Sequence, residues 1–280
     1  MAVTNTGIHA WHLSPLDKSP HMSIISSMEL RKIETYLSDL LTPDEMVSTD
    51  PSLNGIQVEN DGSDISKAAF AVDACAETFQ KAADANAGLI VVHHGLFWGQ
   101  LKPVKGTLYS RLKLLFNNNI ALYAAHLPLD KHPEFGNNAV IADILGLRDI
   151  EDFGRIKGVS IGYKGKLPEP SDIDTILNTL NSGQQKVEKA LPFGPKSIKT
   201  VGIVSGGAAK DVYQAIDEGL DLYITGEPSH EVYHAAMESG INIIFGGHYN
   251  TETWGVRRLS QRMYSDLNIE TVFIDAPTGL

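Results

Sequence analysis

Seven short apolar runs constrain the fold of this chain more than any other feature: "AAFAVDA", "LIVVHH", "IALYAAH", "TVGIVSG", "LYITGE", "INIIFGGH" and "TVFIDA". Each is short enough for a strand. Most are continuous rather than alternating, which is the pattern of strands buried on both faces of a largely parallel sheet. Helical patterns such as "CAETFQKAADAN" and "AAKDVYQAIDEG" lie between them. Upstream, "SMELRKIETYLSDLL" puts Leu30, Ile33, Tyr36, Leu37, Leu40 and Leu41 on one helical face. Strand alternating with helix is the signature of an α/β fold.

The chain also repeats. "VDACAETFQKAADANAGLIVVHHG" and "VSGGAAKDVYQAIDEGLDLYITGE" align without a gap at an offset of 132 residues. Each reads strand, turn, helix, glycine-containing turn, strand. The next units match in outline, because "NIALYAAHLPLD" ends in His126-x-x-x-Asp130 and "INIIFGGHYNTE" in His248-x-x-x-Glu252. The expectation is two similar three-layer α/β lobes from an internal duplication, with a ligand site in the crevice where the carboxyl ends of their strands meet. The boundaries read from sequence are 23–150 for the first lobe, 151–198 for a short connecting insertion and 199–280 for the second lobe. Residues 1–22 lack both a basic start and an apolar stretch, and are read as a disordered leader or tag, together with His9, His12 and His21.

Charge narrows the function. The chain carries 23 Lys and Arg against 34 Asp and Glu, a net charge of −11. Nucleic acid is an unfavourable partner for such a surface, which lacks a basic stripe to neutralise phosphates. Bound cations are favourable ones. Nothing approaches the ~18 consecutive apolar residues of a membrane helix. The single Cys75 cannot form an internal disulfide, which is in keeping with a reducing, cytoplasmic setting.

Three places set metal-ligand side chains immediately after a buried apolar run: His93-His94, His126 with Asp130, and His248 with Glu252. Imidazole and carboxylate together suit zinc, iron or manganese. Two ions about 3.5–4 Å apart need a bridging carboxylate, which Glu252 or Asp130 could supply. A lone histidine is more often a partly exposed or satisfied core group, and His132 is assigned no role. Several imidazoles and carboxylates buried together without a partner would cost several kcal/mol, an objection that a metal removes. Weaker features are the "SGGAAKD" turn with Lys210, which could hold an anion, and Glu227, His230 and His234 in "TGEPSHEVYH". "DPSLNGIQVEN" reads only as a turn followed by a short extended run.

Together, "SLNGIQVEN", "VVHHGLFWG", "LYAAHLPLDKHPEFGNNAVIADILGL", "YITGEPSHEVYHAA" and "GGHYNTETWGV" resemble the dinuclear metal centre proteins, also called GTP cyclohydrolase 1 type 2 homologues and named after a yeast Ngg-interacting factor. The likeness runs from about Met28 to Ala276. It implies two α/β lobes around two divalent ions per subunit, held by His93, His94, Asp130, His248 and Glu252 with Glu252 bridging. It places His126 beside the site, where His126 or His230 could carry protons in catalysis, and implies a toroidal homohexamer. The family name implies a metal-dependent hydrolase that opens the guanine ring of a nucleotide, GTP. The yeast interaction favours a different reading, a non-enzymatic metal-binding or partner-binding ring.

Residues 1–22 offer no periodic apolar face to bury. Their deletion is expected to leave the melting temperature unchanged; a fall of many degrees on thermal denaturation would show that they dock on the core.

Overall fold

A computed structural model describes residues 26–181 and 189–280. Residues 1–22 lie outside this range. The first part of the chain runs through α1 (Leu30–Leu41), β1 (Gly55–Val58), β2 (Lys67–Asp73), α2 (Ala76–Asp84), β3 (Leu89–His94), α3 (Gly106–Asn117), β4 (Ala121–Ala124), α4 (Leu127–Lys131) and α5 (Asn137–Ile144). A hairpin follows, β5 (Arg148–Ile156) and β6 (Val159–Ser171), then α6 (Ile173–Asn181) and β7 (Lys189–Pro192). The last part is β8 (Ile198–Ile203), α7 (Val212–Asp217), β9 (Leu222–Thr225), α8 (Val232–Ser239), β10 (Asn242–Phe245), α9 (His248–Leu267) and β11 (Glu270–Phe273).

These form an α/β structure of two sheets. The first has the order β1-β4-β3-β2-β11, parallel except for β1. The second has the order β5-β6-β8-β9-β10-β7, with a parallel centre of β8, β9 and β10 and antiparallel flanks. The reason for the continuous apolar runs is visible in β3. Leu89 and Val91 join a core with Ile33, Leu37 and Met263, while Ile90 and Val92 join another with Phe79 and Leu115. Alternate side chains of one strand thus feed opposite cores, because neighbouring residues point to opposite faces. The second sheet is covered likewise, by Val212 and Val232 on one face and Ile141 and Leu180 on the other. Both parallel centres are built in the same strand–helix–strand–helix–strand order.

The sheets do not follow the boundaries expected from sequence. The stretch read as a connecting insertion contributes β7 and most of the β5–β6 hairpin to the second sheet. Phe153 explains why: it is buried and packs edge-on against Tyr223 of β9, with ring centroids 6.2 Å apart. At the other end, β11 leaves the second lobe and pairs in parallel with β2 of the first. Between β10 and β11, α9 starts at the carboxyl edge of the second sheet and buries Val256, Leu259 and Met263 against the first. This helix ties the two lobes together. Among the described residues no helix is long and apolar enough to cross a membrane.

Truncating Phe153 tests whether the hairpin belongs to the second core. The Phe153→Ala variant is expected to lose about 3–5 kcal/mol, the cost of emptying a large buried aromatic site. Denaturant unfolding measures it; a loss under about 1 kcal/mol would make the hairpin peripheral.

Candidate metal centre

β3 ends on His93 and His94, at the carboxyl edge of the first sheet. Their rings lie with centroids 4.7 Å apart, although the two residues begin from opposite faces of the strand. β4 ends two residues before His126, whose ring centroid lies 5.1 Å from that of His93 and 5.6 Å from that of His94. Pro128 opens α4, a short helix that carries the buried Asp130. His248 and Glu252 come from the first turns of α9, one turn apart on one face.

Glu252 is the centre of this arrangement. It is only 3% exposed. Its Oε1 lies 3.5 Å from His93 Nε2 and 3.1 Å from His248 Nε2, and its Oε2 lies 3.2 Å from His94 Nε2. Asp130 Oδ2 lies 3.5 Å from His93 Nε2. The close approach of Glu252 requires Gly206, where φ is +67° and a Cβ would sit 2.2 Å from Glu252 Oε1. An L side chain there would strain the backbone and force the Glu252 carboxylate to shift.

Every imidazole is turned the same way. The Nδ1–H groups of His94, His126 and His248 donate to Asp73 Oδ1 at 2.8 Å, Asp50 Oδ1 at 2.8 Å and Glu227 Oε1 at 2.6 Å. His93 Nδ1–H donates to the Ala125 carbonyl at 2.9 Å. Each bond fixes the tautomer and leaves the Nε2 lone pair of the neutral ring free, the usual preparation of a metal-binding histidine. Donor atoms of His93, His94 and His126 lie within 4.8 Å of one another, as do those of His94, His248 and Glu252.

Burial and charge oppose each other here. Burial lowers the His93 pKa, but the charges of Asp130 and Glu252 outweigh it and carry the group up to about 10. Burial likewise works against His248, and hydrogen bonds and charges from Glu252 and Glu227 raise it to about 9. Burial would raise Glu252, yet the charge of His93 and the hydrogen bond of His248 hold it far below its ordinary value. Asp50 is also opposed by burial and held low by its His126 hydrogen bond.

These residues fit a divalent cation. His93 Nε2 and the Glu252 Oε2 carboxylate oxygen are fully buried and make no hydrogen bond. Leaving such atoms unsatisfied costs about 1–3 kcal/mol each. The donors are nitrogen and carboxylate oxygen without thiolate, in line with zinc, iron or manganese. His94, His126, Asp130, His248 and Glu252 face a cavity of about 630 Å³, lined also by Trp98, Lys210 and the hairpin residues Ile156 and Ile161.

The structure brings together His93, His94, His126, Asp130, His248 and Glu252. His126 differs in one respect: within 4.0 Å it meets Asp50 and neither Asp130 nor Glu252. Of the weaker features, Glu227 reaches the site through His248, and Lys210 stands on the cavity wall paired with Glu231 at 3.1 Å. His230 and His234 are exposed and do not line the cavity. Asp50 and Asp73 escaped the sequence reading. Asp73 had a signal, since it follows a buried apolar run as His93 does. Asp50 had none, because it lies 76 residues from the histidine that it orients.

Raised histidine pKa values give the metal-free protein a definite pH dependence. Their ion-pair contribution is complete below the ordinary value of 6.5 and is lost as pH rises through about 9 to 10. The melting temperature of the metal-free protein is expected to fall across that window and that of the zinc-loaded protein to stay level. Parallel melting curves over pH would contradict the site.

The chain has relatives of known sequence and fold. A family model described as Duf34/NIF3 (NGG1p interacting factor 3) matches residues 28–279. A protein of Archaeoglobus fulgidus named "GTP cyclohydrolase 1 type 2 homolog" is 44% identical over 253 residues, covering 90% of this chain and 100% of the relative. One of the same name from Treponema pallidum is 40% identical over 286 residues, with the same coverage of 90% and 100%. A crystal structure from Thermus thermophilus superposes with a TM-score of 0.82 at 38% identity, covering 90% of this chain and 100% of that one.

Proposed function

The chain belongs to the Duf34/NIF3 family, and from that premise we propose that it is a metal-dependent hydrolase built on a dinuclear divalent-metal centre. The observation that carries this reading is the Glu252 carboxylate, buried between three imidazole nitrogens with its two oxygens turned to different partners. His93, Asp130 and Glu252 would hold one ion, and His94, His248 and Glu252 the other. Two divalent ions at such a centre polarise a substrate oxygen and acidify water. The relatives' name supports a nucleotide as the substrate.

The protein's own groups would then do the remaining work. Asp50 holds the His126 ring by its Nδ1–H, so that Nε2 faces the cavity and can take or give a proton there. Its separation from Asp130 and Glu252 supports a role in proton transfer rather than in holding the ions. Trp98 packs edge-on against His126, with ring centroids 4.9 Å apart. The β5–β6 hairpin closes the cavity with Ile156 and Ile161, and Lys157 beside its tip donates to the Thr49 carbonyl of the first lobe at 3.4 Å.

Elemental analysis of the protein after metal loading is expected to give about two ions per chain, and the Glu252→Gln variant to lose both. His126→Ala should keep its ions and lose ~10²-fold in turnover of GTP or another nucleotide. A firm stoichiometry of one or none would overturn the dinuclear centre. A metal-loaded wild type without nucleotide turnover would overturn the hydrolase.

A further inference from the structure

The metal-centre reading leaves open how a carboxylate from the first lobe is set against one carried on α9. Asp130 is 4% exposed, and its Oδ1 accepts two hydrogen bonds, from Asn137 Nδ2 at 2.9 Å and Ser205 Oγ at 3.0 Å. Asn137 is fully buried at the start of α5. Its other amide atom, Oδ1, accepts the backbone N–H of Gly255 at 2.8 Å, nearly one turn along α9 from Glu252. Only one orientation of the carboxamide serves both partners, since a carboxylate needs a donor and an N–H an acceptor. The contact is tight. A Cβ at Gly255 would sit 2.7 Å from Asn137 Oδ1 and 2.8 Å from Asn137 N.

We propose that Asn137, with Ser205, is a positioning residue of the metal centre, fixing the Asp130 carboxylate against the turn of α9 that carries Glu252. The proposal rests on the metal-centre reading above. With two protein donors on Oδ1, Oδ2 is the oxygen left to face the centre beside His93 Nε2, at 3.5 Å. One amide thereby sets both the orientation of Asp130 and its separation from α9. Ser205, at the carboxyl edge of β8, brings the second sheet into the same hold.

Asn242, at the amino end of β10, provides an internal control. It is also buried, but its bonds go to backbone alone and to none of Asp130, Ser205 or Gly255: Nδ2 to the carbonyls of Pro195 and Asp221, each at 3.0 Å, and Oδ1 from Gly194 N at 3.0 Å.

The experiment compares wild type, Asn137→Ala, Asn137→Asp, Ser205→Ala and Asn242→Ala. Zinc affinity is measured by chelator competition, ion content by elemental analysis, and ligand geometry by the visible spectrum of the cobalt-loaded protein. Melting of the metal-free proteins reports the structural cost separately. Asn137→Ala and Ser205→Ala are expected to weaken one of the two ions about 10–100-fold, the range for groups that orient metal ligands, and to alter the cobalt spectrum. Asn137→Asp keeps the volume but loses the donor, and should weaken the same ion. Asn242→Ala should lower the melting temperature and bind both ions as wild type does. If Asn137→Ala fails to fold, Asn137→Asp and Ser205→Ala decide. Wild-type affinity in the Asn137 and Ser205 variants, or a parallel loss of affinity in Asn242→Ala, overturns the proposal. A wild type that takes up no metal overturns the metal centre and this proposal with it.

Discussion

A carboxylate as deeply buried as that of Glu252 stays ionised only where positive charge or strong donors surround it. His93, His94 and His248 provide that surrounding, and much of the fold serves to deliver them. Two come from the last residues of a central strand, and the third shares the first turns of α9 with the carboxylate itself. A helix that began at the second sheet and stayed there could not do this. α9 instead buries its apolar side against the first sheet, which sets its N-terminal turns at the crevice. Packing of Val256, Leu259 and Met263 thus positions the most buried carboxylate in the site.

Orientation of the imidazoles is a separate matter from their gathering. Asp50, Asp73 and Glu227 each take an Nδ1–H, so each Nε2 lone pair is turned inward. These carboxylates also concentrate negative potential in a crevice with low-dielectric walls, which attracts divalent cations. The net charge of −11 therefore has a local counterpart. Asn137 and Ser205 do for Asp130 what Asp50 does for His126: a neutral donor suffices where the group to be fixed is itself an anion.

Sequence reading reached the parallel strands and the gathered donors for the same reason. A strand buried on both faces must be apolar almost throughout, so a histidine after "LIVV" or "INIIF" marks a strand end. What it missed was non-local. β11 pairs with β2 across most of the chain, and nothing in "TVFIDA" says which sheet it joins. The β5–β6 hairpin carries many charges and only scattered apolar residues, so it reads as a connection although Phe153 anchors it in a core. Asn137 and Asn138 stand side by side in "FGNN", where a turn is the natural reading of the residues. Their burial is settled only when α5 meets α9 and β6.

The repeat itself explains why the two halves contribute so unequally. At the offset of 132 residues, His93 aligns with Thr225, His94 with Gly226 and Asp73 with Ser205. The strand ends of the second half thus carry small residues where the first half carries two imidazoles and a carboxylate. Space dictates this. A Cβ at Gly226 would lie 2.6 Å from the Gly206 carbonyl and 2.8 Å from His248 Cα. If both halves placed imidazoles at these strand ends, α9 could not bring His248 and Glu252 between them. One strand–helix–strand unit supplies donors, its counterpart supplies room, and the helix after the second unit fills that room. A crevice between two similar units becomes a site for unlike ligands only when the similarity is broken at the strand ends, and here that break falls on His94 and Gly226.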